Sequence, residues 1–218
     1  MGEKLCIFDL DGTLLDTLKD LSISINYALN KNGLNPITIE QTRTFIGNGI
    51  KKLVERAIGN GHKDKFDVVF KAFLEHYDIH CNDNTKMFDG IQMLLCELKA
   101  AGYKTAIVSN KNDEAVQELK HIYFNNLIDV AYGVKEGMKS KPSPDTINSV
   151  IEKLNIKKDD VIYIGDSDVD MKAAINANVD YLIVLWGYRR INELNEVPNN
   201  KMIKTPDELL MKIKELKP

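Results

Sequence analysis

The sequence predicts an α/β protein: a mostly parallel sheet with helices on both faces, interrupted by an all-helical insert. Three observations carry this. A short apolar run, Leu5-Cys6-Ile7-Phe8, ends abruptly at Asp9 and reads as a buried strand. The following stretch keeps a helical period and needs no strand between Asp16 and about Thr85. After Phe88 strands and helices alternate. The core is therefore expected over residues 1–16 and 86–218, and the insert over 17–85.

In the insert, Leu18, Leu21, Ile25 and Leu29 recur at helical spacing, and Asn32-Gly33 stops that helix. Thr38-Ile39-Glu40-Gln41 has the form of a capping box opening a second helix. Gly47-Asn48-Gly49 breaks it. Leu53, Val54, Ala57 and Ile58 make a third helical face, and Phe66 to Tyr77 a fourth.

In the core, helices are expected at Ile91–Ala101, Asp113–His121, Asp145–Leu154 and Asp170–Ala177. They alternate with strands at Thr105–Val108, near Val130, at Val161–Ile164 and at Tyr181–Leu185. Thr205 is placed to cap a last helix, with Pro206 at its first position.

Composition narrows the function. Of 218 residues, 44% are hydrophobic and 28% charged, which excludes global disorder and fibrous classes. Lys and Arg number 29 against 32 Asp and Glu. No basic excess marks a nucleic-acid or anionic-membrane partner. The longest apolar run, Tyr181–Trp186, is far below the ~18 residues of a membrane helix. The N-terminus lacks a signal-peptide pattern. Cys6, Cys81 and Cys96 are scattered and odd in number. A cytoplasmic protein with reduced thiols is the expectation, with oligomeric state left open between monomer and dimer.

Ligands of open parallel sheets bind beyond the carboxyl ends of the strands. Four strand ends carry chemistry here: Asp9-Leu10-Asp11-Gly12-Thr13, Ser109-Asn110-Lys111, Lys141-Pro142 and Gly165-Asp166-Ser167-Asp168-Val169-Asp170. Four acids, one hydroxyl and one lysine are thus expected in one crevice. Asp9 and Asp11, two apart in extended chain, leave the same face. Such a pair can divide the work of nucleophile and general acid/base. Asp9, Asp11, Asp166 and Asp170 against Lys141 leave a net charge of −3. Unit charges ~4 Å apart interact by about 4 kcal/mol at an effective dielectric of ~20. A phosphate ester would be repelled unless a cation intervened. The all-oxygen donor set selects Mg²⁺. Ser109 and the backbone amides after it can donate to phosphate oxygens, and Lys141 can neutralise charge on a transferred group. Pro142 should hold Lys141 extended.

In this order, these motifs resemble the four motifs of the haloacid-dehalogenase-like phosphohydrolase superfamily. The resemblance covers nearly the whole chain and implies a Rossmann-like core with an inserted all-helical cap. It implies that Asp9 is the nucleophile, forming an aspartyl-phosphate, and that Asp11 protonates the leaving oxygen and then activates water. It places Mg²⁺ on the Asp9 carboxylate, the Asp11 backbone carbonyl and Asp166, with Asp170 in or near that shell. Ser109, Asn110 and Lys141 would bind phosphate. Asp11 argues against the dehalogenase branch. Phe45-Ile46-Gly47-Asn48-Gly49 with Leu53-Val54-Glu55-Arg56-Ala57 resembles the cap segment of phosphoglycolate phosphatases, as does Trp186-Gly187-Tyr188-Arg189. The implied activity is hydrolysis of a small phosphorylated metabolite, with 2-phosphoglycolate as the specific expectation. A mutase of the β-phosphoglucomutase type and a pyrophosphatase would use the same site. A receiver-like signalling module is the alternative of another class.

Several residues have a plainer reading. Asp168 is expected to cap its helix. Lys139 reads as solvated, and Lys111 as either crevice or surface. Gly47, Asn48 and Gly49 form a helix-breaking turn or a substrate-facing loop. His76 and His80, with Cys81 beside them, have zinc-like spacing but no second ligand pair. Arg43 could meet a substrate carboxylate. Arg189-Arg190 reads as a solvated loop near the rim.

Overall fold

The computed structural model describes residues 3–135 and 137–217. The chain runs β1 (Leu5–Phe8), β2 (Leu15–Asp16), α1 (Leu18–Lys31), α2 (Ile39–Phe45), α3 (Ile50–Ile58), α4 (Phe66–His80), β3 (Lys86–Met87) and α5 (Ile91–Ala100). It continues with β4 (Lys104–Asn112), α6 (Asp113–Leu119), β5 (Val130–Val134), α7 (Asp145–Leu154), β6 (Val161–Gly165) and α8 (Asp168–Ala177). The last elements are β7 (Asp180–Val184), β8 (Met202–Ile203) and α9 (Pro206–Leu216). Two compact units result: Met1–Leu14 with Met87–Pro218, and Leu15–Lys86.

The core unit holds a six-stranded sheet in the order β5-β4-β1-β6-β7-β8. Its pairings are parallel. From β1 the chain builds outward through β4 and β5, then returns to build the other side through β6 and β7. The order therefore reverses at β1, where ligand crevices of such sheets form. Phe8 is level with Ile107 of β4 and with Ile164 of β6. The residues just beyond these three strands consequently emerge at one height.

Packing fixes the sheet. Leu5 and Ile7 point to one face and join Ala106, Val108, Val161 and Tyr163. Against them lie Ile147, Val150 and Ile151 of α7 and Ala173, Ala174 and Ala177 of α8. Each fully buried Ile or Leu contributes roughly 2 kcal/mol before entropy is counted. The three alanines let α8 lie close on β6 and β7.

In the insert unit, α1 packs along α4, burying Leu21, Ile25 and Leu29 with Val69, Phe73 and Tyr77. The Thr38 capping box forms as expected. The Phe66–Tyr77 stripe is packing: Phe66 stacks on Phe70 and Phe73 on Tyr77.

The structure corrects several boundaries. Asp16 belongs to a two-residue strand, β2, which pairs with β3, so the stretch is not free of strand to its edge. β4 runs four residues past Val108, with an irregular register between Val108 and Asn112. β8 was not foreseen, because two residues are too short to show a period. Thr205 caps α9 as expected, accepting from the Glu208 N–H.

Candidate active site

All four strand-end motifs lie in the core unit. Asp9 is buried at the tip of β1, its backbone N–H donating to Ile164 O at 2.8 Å. Its Oδ1 accepts from the Leu10 N–H at 2.7 Å and pairs with the Lys141 ammonium at 2.8 Å. Among the described residues no donor reaches Oδ2.

Gly12 turns the chain away from the strand. Its φ of +86° suits glycine, and a Cβ there would collide with the Asp166 carboxylate. The second acid can therefore sit against the first motif only because position 12 has no side chain. Asp166 Oδ2 accepts from the Tyr188 N–H at 2.6 Å. Among the described residues its Oδ1, like Asp9 Oδ2, receives no hydrogen bond.

Asp170 differs. Its Oδ1 accepts from Lys141 Nζ at 2.7 Å and Tyr163 OH at 3.1 Å. Its Oδ2 accepts from the Ser167 hydroxyl at 2.5 Å and the Ser167 N–H at 3.1 Å. Ser167, not Asp168, is the N-cap of α8, and Asp170 closes the capping box. This corrects both the expected cap and the expected helix start. Serine three before an acid satisfies two end donors at once. Asp168 instead pairs with Lys172 at 3.0 Å.

Lys141 is buried and central, bridging Asp9 and Asp170. Its backbone is gripped by Asn110: the Lys141 N–H donates to Asn110 Oδ1 at 2.7 Å, and Asn110 Nδ2 donates to Lys141 O at 3.2 Å. The side chain of Asn110, expected at the phosphate, thus holds the lysine loop. The Lys141–Pro142 peptide is cis. Lys139 is exposed, as expected.

A second lysine enters the site. Lys111 is buried, with Nζ 3.0 Å from Asp11 Oδ1 and 3.3 Å from Oδ2. Its N–H donates to Ser109 Oγ at 3.2 Å. That orients the buried Ser109 hydroxyl and leaves its hydrogen to donate elsewhere. Of the two readings open for Lys111, crevice or surface, the structure shows the crevice, so the site holds two lysines. Four carboxylates against two ammoniums leave −2, not −3, and one divalent cation would balance them.

The electrostatics follow. Burial, with Asp170 and Asp166 nearby, pushes Asp9 up to about 8 against the pull of Lys141. Burial and Asp170 push Asp166 up to about 7, opposed by the Tyr188 N–H and Arg189. Burial would lower Lys141, but Asp170 and Asp9 carry it well above the usual lysine range. Buried and crowded, Asp9 and Asp166 hold their protons more tightly than free carboxylates do.

Asp9, Asp166 and Asp170 each offer an oxygen within 4.8 Å of the others'. Hard oxygen donors, two of them reached by no hydrogen bond, fit a divalent cation. The trio is a candidate metal centre, and among the described residues no other such group of acids, histidines or cysteines occurs.

Gly47, Asn48 and Gly49 join α2 to α3 in the insert unit, and Asn48 Oδ1 accepts from Arg56 at 2.8 Å. Nearby, Phe45, Ile58 and Phe66 with Lys52, Arg56 and Lys63 help line a groove of about 760 Å³. Arg43 pairs with Glu40 at 2.9 Å. His76 bonds Ser24 Oγ at 3.0 Å and lies tilted against the rings of Tyr27 and His80; His80 meets Asp83 at 2.7 Å. Arg189 is half-buried, and Arg190 is exposed in the loop after β7.

A reversing parallel sheet with crowded acids at the reversal provides the core and the site of an enzyme, a hydrolase of the phosphatase class. A sequence model of haloacid dehalogenase-like hydrolases matches residues 6–184. The chain belongs to that family. A phosphoglycolate phosphatase of Colwellia psychrerythraea is 32% identical, over 97% of this chain and 97% of its own length. A candidate phosphoglycolate phosphatase of Lactobacillus delbrueckii subsp. bulgaricus has a crystal structure 33% identical in sequence, with a TM-score of 0.91 over 98% of this chain and 99% of that one. Protein Tyrosine Kinase A of Mycobacterium tuberculosis, 24% identical with a TM-score of 0.79 over 97% of this chain and 98% of that one, shares the fold alone. Among the described residues, no helix is long and apolar enough to cross a membrane.

Proposed function

We propose that the protein hydrolyses small phosphate monoesters with Mg²⁺ through a phosphorylated Asp9, and that 2-phosphoglycolate is its substrate. The observation that carries the mechanism is the state of Asp9: one oxygen fixed by Leu10 N–H and Lys141, the other open. A nucleophile needs that combination of rigidity and a free electron pair. The similarity to phosphoglycolate phosphatases over nearly the full chain supports the substrate.

Asp9 attacks phosphorus, and the bond to the ester oxygen breaks. Asp11 gives that oxygen a proton. Water then attacks the phosphorus, Asp11 takes its proton, and the bond to Asp9 breaks, releasing phosphate. Ser109 donates its hydroxyl to a phosphoryl oxygen, and Lys141 offsets charge there while Asp170 and Tyr163 hold its ammonium. Asp9, Asp166 and the Asp11 carbonyl would hold Mg²⁺, with Asp170 orienting the lysine beside them. When bound, the ion supplies charge neutralisation that lets an anionic ester approach.

Phosphate release should be measured across small phosphate esters and pyrophosphate, with Mg²⁺ and with chelator. Mg²⁺-dependent release fastest from 2-phosphoglycolate is the expected result. A faster reaction with another ester or pyrophosphate would discard the substrate and keep the mechanism. No release by folded, metal-supplied protein would overturn the mechanism and favour a phosphomutase or a receiver-like module.

A further inference from the structure

Lys111 is a buried lysine that the proposed chemistry does not yet use. Its position is tightly specified. It lies where β4 departs from regular pairing with β5, between Val108 and Asn112. Opposite it, Gly133 comes so close that a Cβ would sit 2.6 Å from Lys111 O. The Gly133 N–H donates to Asp113 Oδ1 at 2.9 Å, pinning the chain just after the lysine. The lysine's own N–H is engaged by Ser109 Oγ. A backbone held at these points aims the side chain, and both oxygens of Asp11 lie within 3.3 Å of its ammonium.

We propose that Lys111 is a positioning residue that acts through Asp11, fixing its carboxyl group where it meets the ester oxygen. The inference rests on the reading of Asp9 as nucleophile and Asp11 as acid/base. No bond to Lys111 forms or breaks. It offers hydrogen bonds to Asp11 while the Asp11 proton passes to the leaving oxygen. Without that ammonium the half-buried Asp11 carboxyl has more rotamers open to it, few of which reach that oxygen; Lys111 narrows them.

A leaving group that departs easily needs little protonation, which separates this role from a structural one. The Lys111→Met variant of the full chain, with Mg²⁺, should be assayed on 2-phosphoglycolate and on p-nitrophenyl phosphate. kcat/KM reports binding and the first transfer, and leaves out hydrolysis of the phosphorylated Asp9. A fall of about 100-fold is expected on the alkyl ester, within the range general acid catalysis supplies. On the nitrophenyl ester a fall below about 5-fold is expected, since that leaving group asks less of the acid. Lys111→Arg should show a smaller loss with the same dependence. In an Asp11→Asn background, Lys111→Met should cost nothing further.

Equal losses on both esters, a further loss in the Asp11→Asn background, or faster turnover would overturn the proposal. If Lys111→Met fails to fold, Lys111→Arg on both esters, alone and in the Asp11→Asn background, decides it. Wild-type protein inactive on every ester would instead bring down the reading of Asp9 and Asp11.

Discussion

Two buried acids, Asp20 in the insert and Asp9 in the core, show how burial serves opposite ends. Asp20 is 1% exposed, and four neutral donors meet it: the N–H and side-chain amide of Asn84, and the N–H and hydroxyl of Thr85. Those donors come from more than sixty positions along the chain, so the acid closes the insert on itself. Asp9 is 8% exposed, and its company is charged: Lys141, with Asp170 and Asp166 crowding it. A buried acid surrounded by neutral donors is a fastener. One crowded by other acids, with an oxygen left open, is held ready for a cation and an electrophile.

The contrast can be broken most forcefully at Asp9. Asp9→Asn should lower turnover by about 10⁴-fold or more, as loss of a nucleophile does. Its melting temperature should stay within a few degrees of wild type, because an acid is removed from a crowd of acids. Near-normal steady-state phosphate release from purified Asp9→Asn would sink the mechanism.

Asp20→Ala should do the reverse. Stranding donors of Asn84 and Thr85 should lower stability by about 2–4 kcal/mol. Chemical denaturation measures this. A variant as stable as wild type would show that the Asp20 network is not a fastener.

A pH dependence sharpens the same contrast. Asp9 and Asp166 titrate at about 8 and about 7 in the folded chain, above the ordinary 3.8. The folded state therefore holds these protons more tightly than the unfolded one. Stability from this source is complete in acid and is lost as pH rises through about 7 and 8. Melting of metal-free protein should fall from about pH 5 to about pH 8, and excess Mg²⁺ should remove most of the fall. A flat metal-free profile would mean the acids are not crowded in solution.

The parallel sheet and the insert were legible because hydrophobic period survives in single sequences. Asp9, Asp11, Ser109, Lys141, Asp166 and Asp170 were legible as candidates because each follows a strand. Asn110 as a clamp was not legible, because a side-chain amide can turn to bases of many loops. Lys111 had a usable signal: it shares strand parity with Ser109 and so faces the same way. The Ser167–Asp170 spacing was likewise a capping box in plain view, masked by the familiarity of aspartate as a cap. Tyr163 gave no signal, being one aromatic among the apolar residues of β6.

Trp186, the single tryptophan of the chain, donates its indole N–H to Thr13 O at 3.0 Å. The protein thus carries an optical reporter fastened to the loop that bears Asp11 and Gly12. Its emission is free of background from other indoles. Any ligand that shifts that loop changes the surroundings of one fluorophore, so cation and ester titrations can be followed by light from the native chain, without label or turnover.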